Sequence, residues 1–197
     1  MEVKNIRDYL KPGRRAHLVG IGGVSMASLA EVLHGAGVEV TGSDQRESAT
    51  VLHLRALGIP VVIGHLPQSV EGAGCVVRTA AVHDANPEIR AALDAGIPVF
   101  ERAQAWGAIM RDYRNALCIS GTHGKTTTTS MCTHIFMAAR RDPTVMIGGT
   151  LPLLEAGHRV GRGDTIILES CEYCNSFLSF YPTVAVILNV EADHLDF

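Results

Sequence analysis

A two-domain α/β protein is what the sequence predicts, and three observations carry that expectation. Short β-branched runs alternate with helical stretches along the chain, two glycine-rich turns each stand between a strand and a helix, and the strand, turn, helix order restarts near Tyr113. Parallel neighbours need a crossover connection, so alternation of this kind implies parallel sheets covered by helices on both faces.

The elements follow in order. Ala16 to Val19 reads as a first strand, Ser25 to Leu33 as a helix, Val38 to Thr41 as a strand and Ala49 to Leu57 as a helix. Val61-Val62-Ile63, Cys75-Val76-Val77 and Pro98-Val99-Phe100 are further short strands. Asn86-Pro87-Glu88 opens a helix that runs to Ala95, with asparagine as cap and proline at the first helical position. A helix from Arg102 to Arg111 then closes a Rossmann-like parallel-sheet domain over residues 1–112. Beyond it, Leu117 to Ser120 is a strand, Lys125 to Arg140 a long helix, and Thr144 to Ile147, Thr165 to Leu168 and Thr183 to Leu188 are buried strands. Residues 113–197 hold too few elements to close a nucleotide-binding domain, and they read as an incomplete P-loop ATPase α/β domain.

Composition narrows the function. Hydrophobic residues are 47% and charged residues 19% of the chain, which excludes a disordered or low-complexity protein. A formal net charge of -3 with no clustered Lys/Arg stripe argues against a nucleic-acid partner, so any anion site must be local. Met1 to Asn5 lacks an apolar leader and no apolar run is long enough for a bilayer, so the expectation is a cytoplasmic protein with no membrane partner. The five scattered cysteines, Cys75, Cys118, Cys132, Cys171 and Cys174, are expected to be free thiols.

The stretch Gly121-Thr122-His123-Gly124-Lys125-Thr126 lies between a strand and a helix, where backbone N–H groups and a helix N-terminus face an anion. In the general P-loop a glycine stands five positions before the Gly-Lys pair; that position is Ile119 here, and the loop is correspondingly short. The expectation is that the amides from Thr122 to Thr126 cradle β- and γ-phosphates, Lys125 neutralises their charge, and the Thr126 hydroxyl holds Mg2+. Gly121 and Thr127 flank this stretch and belong to the same binding segment. The alternative is a glycine turn before a helix, with a solvated lysine. His123 either touches phosphate or shapes the turn.

Earlier in the chain, Gly20-Ile21-Gly22-Gly23-Val24-Ser25 is similar to a dinucleotide fingerprint, with Ser25 in place of the last glycine. The second strand ends in Gly42-Ser43-Asp44, an acid placed to read ribose hydroxyls, which keeps a nicotinamide-dependent oxidoreductase as a competing reading. A second, separate phosphate loop is more than a simple dehydrogenase needs. Cys171-Glu172-Tyr173-Cys174 is either part of a zinc or redox site or a structural pair, and no second Cys-x-x-Cys or spaced histidine pair completes four zinc ligands.

With these motifs in hand, the chain resembles the amino-terminal part of a Mur ligase. Gly20 to Met26 resembles that family's uridine-nucleotide loop, Ser120 to Thr129 its shortened phosphate loop, and Ile147-Gly148-Gly149 the glycine pair after the next strand. Glu169 to Leu178 resembles its acidic motif and Ser-Phe-Leu segment, and Asn189 to Asp196 its Asp-His-Leu-Asp motif. Two departures stand out: Ser25 replaces a glycine common in the family, and Cys171 replaces an acid of the acidic motif.

The resemblance implies a three-domain enzyme, of which this chain holds the uridine-nucleotide domain and the start of the ATPase domain, with the remaining carboxyl-terminal part of the same enzyme as its partner. It implies ATP and Mg2+ as cofactors, and Lys125, Thr126, Glu172 and His194 as catalytic residues, the last three as metal ligands. Gly22, Gly23, Val24, Ser25, Asp44 and Thr79 become contacts to UDP-N-acetylmuramate. ATP would phosphorylate the lactyl carboxylate of that sugar nucleotide, and the amine of L-alanine would displace phosphate to form an amide. The family's tripeptide-recycling ligase is the alternative, with Ser176-Phe177-Leu178 favouring alanine.

Overall fold

The computed structural model describes residues 5–170 and 173–191. The chain divides into two compact units, Met1–Ala105 and Trp106–Phe197, a division that falls ahead of the boundary expected after residue 112.

The first unit is a five-stranded, wholly parallel sheet of β1 (Arg15–Val19), β2 (Glu39–Asp44), β3 (Val61–Ile63), β4 (Cys75–Arg78) and β5 (Val99–Glu101), in the order β3-β2-β1-β4-β5. The chain steps outward from β1 to β3 and then returns to the other side of β1, so strand order reverses between β1 and β4. That reversal opens a crevice at the carboxyl ends of the strands, where α/β sheets bind ligands. The helices of this unit are α1 (Val24–Gly35), α2 (Ala49–Ala56) and α3 (Pro87–Asp94), and α4 (Arg102–Met110) runs across the division. The starts of α2 and α3 are fixed by side-chain caps: Ser48 accepts from the Val51 amide at 3.2 Å, and Asn86 accepts from the Glu88 amide at 2.9 Å.

Burial explains the layering. Ala16, Leu18 and Val19 of β1 and Cys75, Val76 and Val77 of β4 are all fully buried, as strands covered on both faces must be. Val19 and Val76 pack with Ile89 and Ala92 of α3. Met26, Ala27, Leu29 and Ala30 supply the buried side of α1. Gly42 has a specific reason to lack a side chain: a Cβ there would stand 2.5 Å from the Ile21 side chain and 2.7 Å from the Leu18 carbonyl. The loop after β1 therefore lies directly on β2.

The second unit holds β6 (Asn115–Ser120), α5 (Lys125–Ala138), β7 (Thr144–Leu151), β8 (Ala156–Arg159), β9 (Thr165–Glu169) and β10 (Val184–Ile187). The sheet order is β10-β6-β9-β7-β8, parallel except for the β7/β8 hairpin. The sequence reading does not contain β8, and it ends β7 at Ile147, whereas the strand continues through Gly148-Gly149 with an irregular register between Met146 and Leu151. Ile119, Val145, Ile147 and Ile167 form the core, with Cys132 and Phe136 of α5 packed against it.

β10 is the outer strand beside β6 and is unusually open, with Val184 50% and Ile187 70% exposed. An apolar cavity of about 410 Å³, lined by Phe177, Phe180, Pro182, Val186 and Ile187 among others, lies beside it. Among the described residues Cys75, Cys118 and Cys132 are free thiols, and burial pushes Cys75 and Cys118 up to about 12. No helix among the described residues is long and apolar enough to cross a membrane.

Candidate functional site

Each unit carries one glycine loop at the carboxyl edge of its sheet. In the first, Gly20 follows β1 with φ +78, a conformation that favours glycine, and Gly23 caps α1. The Gly20 and Ile21 amides donate to the Ser43 carbonyl at 2.9 and 3.0 Å, and the Gly22 amide donates to Asp44 Oδ2 at 2.8 Å. Asp44 thus holds the turn itself. A Cβ on Gly22 would meet that carboxylate at 2.9 Å, so the closeness of loop and strand depends on glycine there.

Val24 and Ser25 form the first turn of α1, Val24 being 58% exposed at the mouth of the loop. Thr79 stands half-buried just past β4, its carbonyl accepting from the Val82 amide at 3.0 Å. Gly22, Gly23, Val24, Ser25, Asp44 and Thr79 therefore share one sheet edge. Arg78, next to Thr79, is taken up by Glu101 at 2.8 Å and Asp84 at 2.5 Å.

The second loop runs from Ser120 to Lys125, with Gly121 at φ +141 and Gly124 at φ +85 immediately before α5. Lys125 Nζ folds back to donate to the carbonyls of Gly121 (2.5 Å) and Thr122 (3.1 Å). The segment after β10 straps the loop from one side. The Asn189 carboxamide accepts from the His123 amide at 2.8 Å and donates to the His123 carbonyl at 3.0 Å. The Thr122 amide donates to the Asn189 carbonyl at 3.3 Å, and the Thr122 hydroxyl accepts from the Glu191 amide at 2.9 Å. Two amides expected to face phosphate, those of Thr122 and His123, are thus engaged in holding the loop to β10. The His123 ring is exposed, with Nε2 at 3.7 Å from Glu191 Oε2. Thr127 lies exposed on the first turn of α5.

The carboxylate that meets the loop is Glu169, at the end of β9. The Thr126 hydroxyl donates to Glu169 Oε1 at 3.1 Å, and the Gly148 amide donates to Glu169 Oε2 at 2.7 Å. A Cβ on Gly148 would lie 2.7 Å from the same carboxylate, which gives the glycine pair of β7 its physical purpose. Glu172 and His194, the two other ligands expected on resemblance, lie outside the described residues. So does Cys171. Among the described residues no group of three or more His, Cys, Asp or Glu side chains gathers around a point that would hold a metal. The pair in view, a hydroxyl and a carboxylate, offers hard oxygen donors of the kind Mg2+ takes, not the nitrogen and sulfur of a zinc site.

Sequence reasoning missed Glu169 and Asn189 as functional positions. Both were signalled by a polar residue ending an apolar strand at the edge where the loop sits.

Comparison with known proteins also divides the chain in two, with the change between residues 114 and 119. Residues 15–114 match the Mur ligase family, catalytic domain, and residues 119–197 match the Mur ligase middle domain. UDP-N-acetylmuramate–L-alanine ligase of Clostridium novyi is 47% identical over 96% of this chain and 42% of its own length. The enzyme of that name from Agathobacter rectalis is 48% identical over 96% of this chain and 41% of its own. Among solved structures, UDP-N-acetylmuramate-alanine ligase from Thermotoga maritima superposes with a TM-score of 0.83 at 33% identity, covering 92% of this chain and 43% of that one. A ligase from Neisseria meningitides acting on UDP-N-acetylmuramate and L-alanyl-gamma-D-glutamyl-meso-diaminopimelate also gives 0.83, at 28% identity, over 92% and 62%. The chain spans about two-fifths of the length of the curated relatives.

Proposed function

This chain belongs to the Mur ligase family, and from that premise we propose that it is the nucleotide-binding portion of an ATP-dependent ligase joining L-alanine to UDP-N-acetylmuramate. The observation that carries the reading is the meeting of Thr126 and Glu169 at 3.1 Å beside the lysine of the short phosphate loop. Between solved structures, the identity of 33% to an alanine ligase against 28% to the tripeptide ligase, together with 47% and 48% to curated relatives named for alanine, favours alanine as the second substrate.

The chemistry demands such a site. A carboxylate is a poor acyl donor, and as an anionic nucleophile it is repelled by the triphosphate it must attack. With the Thr122 and His123 amides engaged by Asn189, the amides from Gly124 to Thr127 bind the β- and γ-phosphates, and Lys125, released from the Gly121 and Thr122 carbonyls, places its ammonium against them. Thr126 and Glu169 would hold Mg2+ through hard oxygen donors, with His194 as the further ligand that the resemblance implies, and the ion would supply charge neutralisation for the phosphoryl group. In this reading Glu169 adds a carboxylate to the one that the resemblance assigns to Glu172. Asn189 keeps the loop in register with β10 so that these groups converge. Phosphoryl transfer to the lactyl carboxylate yields an acyl phosphate, from which the alanine amine displaces phosphate. In the first unit the Gly22-Gly23 turn and the start of α1 take the diphosphate of the sugar nucleotide, with Asp44 and Thr79 on its nucleoside.

Titration calorimetry of the chain tests this. UDP-N-acetylmuramate and ATP with Mg2+ are expected to bind independently at one site each, and NADH not at all. Tight NADH binding with no response to the sugar nucleotide would overturn the reading. In the complete protein, phosphate release is expected to depend on L-alanine and not on the tripeptide.

A further inference from the structure

The first unit buries a charged group that the loop chemistry does not use. Glu88, in the first turn of α3, has 0% exposure, and His17 of β1 beside it has 1%. Burial pushes the Glu88 carboxyl up, but His17 and Ser43 outweigh that and hold the group below its ordinary value. An ionised carboxylate therefore sits in the core, where apolar packing of the same volume would be at least as stable.

What the carboxylate gains is reach. Oε2 accepts from Ser43 Oγ of β2 at 2.5 Å and lies 2.9 Å from Nδ1 of His65, which follows β3. Oε1 faces His17 Nε2 of β1 at 3.4 Å. One side chain from α3 thus meets β1, β2 and the end of β3 through directional contacts, which an apolar side chain does not offer. Its own backbone is fixed from behind: the Asn86 side chain accepts from the Glu88 amide at 2.9 Å, and Ile89, the next residue, packs with Val19 and Val76.

Ser43 carries this grip to the glycine loop. It is fully buried, it is the last residue of β2 in register with β1, and its carbonyl accepts from the Gly20 and Ile21 amides at 2.9 and 3.0 Å. Asp44, next in the chain, accepts from the Gly22 amide at 2.8 Å. Three successive loop amides therefore hang on two residues of β2. The side chain of the first of those two is anchored by Glu88, with His65 alongside at 3.1 Å from Ser43 Oγ. We propose that Glu88 is a positioning residue for binding of the sugar nucleotide: through Ser43 it sets where the loop after β1 stands, and it never touches the ligand. The inference rests on the reading of the first unit as a uridine-nucleotide site. Backbone groups serve a ligand only while they converge, so a small shift of Ser43 is felt as lost affinity.

The 197-residue chain, titrated calorimetrically with UDP-N-acetylmuramate and separately with ATP and Mg2+, tests this by setting reach against charge. Glu88→Asp keeps the charge but withdraws the carboxylate from Ser43, whereas Glu88→Gln drops the charge but leaves an oxygen within reach of the hydroxyl. Glu88→Asp is expected to bind the sugar nucleotide roughly tenfold more weakly, the scale of one hydrogen bond to a charged group, with ATP binding unchanged. Glu88→Gln is expected to keep most of the affinity. Ser43→Ala, which removes only the hydroxyl, is expected to match Glu88→Asp, and the two changes together to be no worse than either, because both break the same link. Hydrogen exchange gives a readout without ligand: in both variants the Gly20 and Ile21 amides are expected to exchange faster while the Val76 amide of β4 keeps its rate. Unchanged sugar-nucleotide affinity in Glu88→Asp or Ser43→Ala, losses that add, a greater loss in Glu88→Gln than in Glu88→Asp, or exchange quickened equally at Val76 overturns this inference alone. No binding by the unmutated chain overturns the uridine-nucleotide reading together with it.

Discussion

The glycine loops after β1 and after β6 occupy equivalent places in two mainly parallel sheets, yet opposite chemistry holds them. In the first a carboxylate, Asp44, receives a loop amide, and loop and strand meet through backbone at Ser43. In the second a lysine reaches back to loop carbonyls, and an amide side chain, Asn189, grips the backbone from the neighbouring strand's end. The difference teaches that strand, glycine turn and helix specify only that an anion is welcome. What surrounds the turn sets how much charge it takes: a loop that already carries a carboxylate suits a diphosphate with ribose hydroxyls to read, whereas one carrying a mobile ammonium suits a triphosphate.

The strongest way to break this contrast is to remove the lysine. Lys125→Met is expected to lower affinity for ATP with Mg2+ by roughly a hundredfold, the scale of a fully used charged contact, and to leave UDP-N-acetylmuramate binding unchanged in the same calorimeter. Parallel losses for both ligands would mean that the loops do not act separately. A paired exchange sharpens the point. Gly22→Ala places a Cβ 2.9 Å from Asp44 Oδ2 and 3.1 Å from Val51, so a loss of about 1–3 kcal/mol in stability is expected, with weaker sugar-nucleotide binding alone. Gly148→Ala meets Glu169 Oε1 at 2.7 Å, and is expected instead to weaken the dependence of ATP binding on Mg2+ by about tenfold, one misplaced ligand's worth.

The smallest effect separates the units by acid. Glu88 lies below its ordinary value when folded, so its contribution is present above the unfolded value and is lost as pH falls through the folded one. Asp142 in the second unit is also lowered, first by its hydrogen bond to Arg159, but that pair is exposed and screened by solvent. Thermal melts followed by circular dichroism are thus expected to weaken toward acid pH, and Glu88→Gln to flatten that dependence. An unchanged slope in the variant would transfer the acid sensitivity elsewhere.

The alternation of elements was legible because both sheets are mainly parallel and several of their strands are short apolar runs, as in Cys75-Val76-Val77 and Thr165 to Leu168. β8 was not legible: Ala156-Gly157-His158-Arg159 has neither β-branched residues nor alternation, and it is a strand only because β7 lies beside it. Gly148-Gly149 reads as a stop by local propensity, yet it continues β7 because the glycines clear space for Glu169. The loops themselves are contiguous in sequence and were found. Their holders are not: Asn189 stands 66 residues from His123, and Glu169 stands 43 from Thr126. Glu88 of α3 likewise meets Ser43 of β2 and His65 after β3, 45 and 23 residues away, only once the sheet is assembled.

β10 bears on how the protein must be handled. Its outer row of N–H and C=O groups has no neighbour among the described residues, and Val184, Ile187 and, just beyond, Val190 (85% exposed) present bare hydrocarbon. A flat, greasy ribbon of this kind is a template for a second copy, so crowded samples will scatter light and sediment fast. Dilution and a little cold, which slackens hydrocarbon attraction, should return them to monomers.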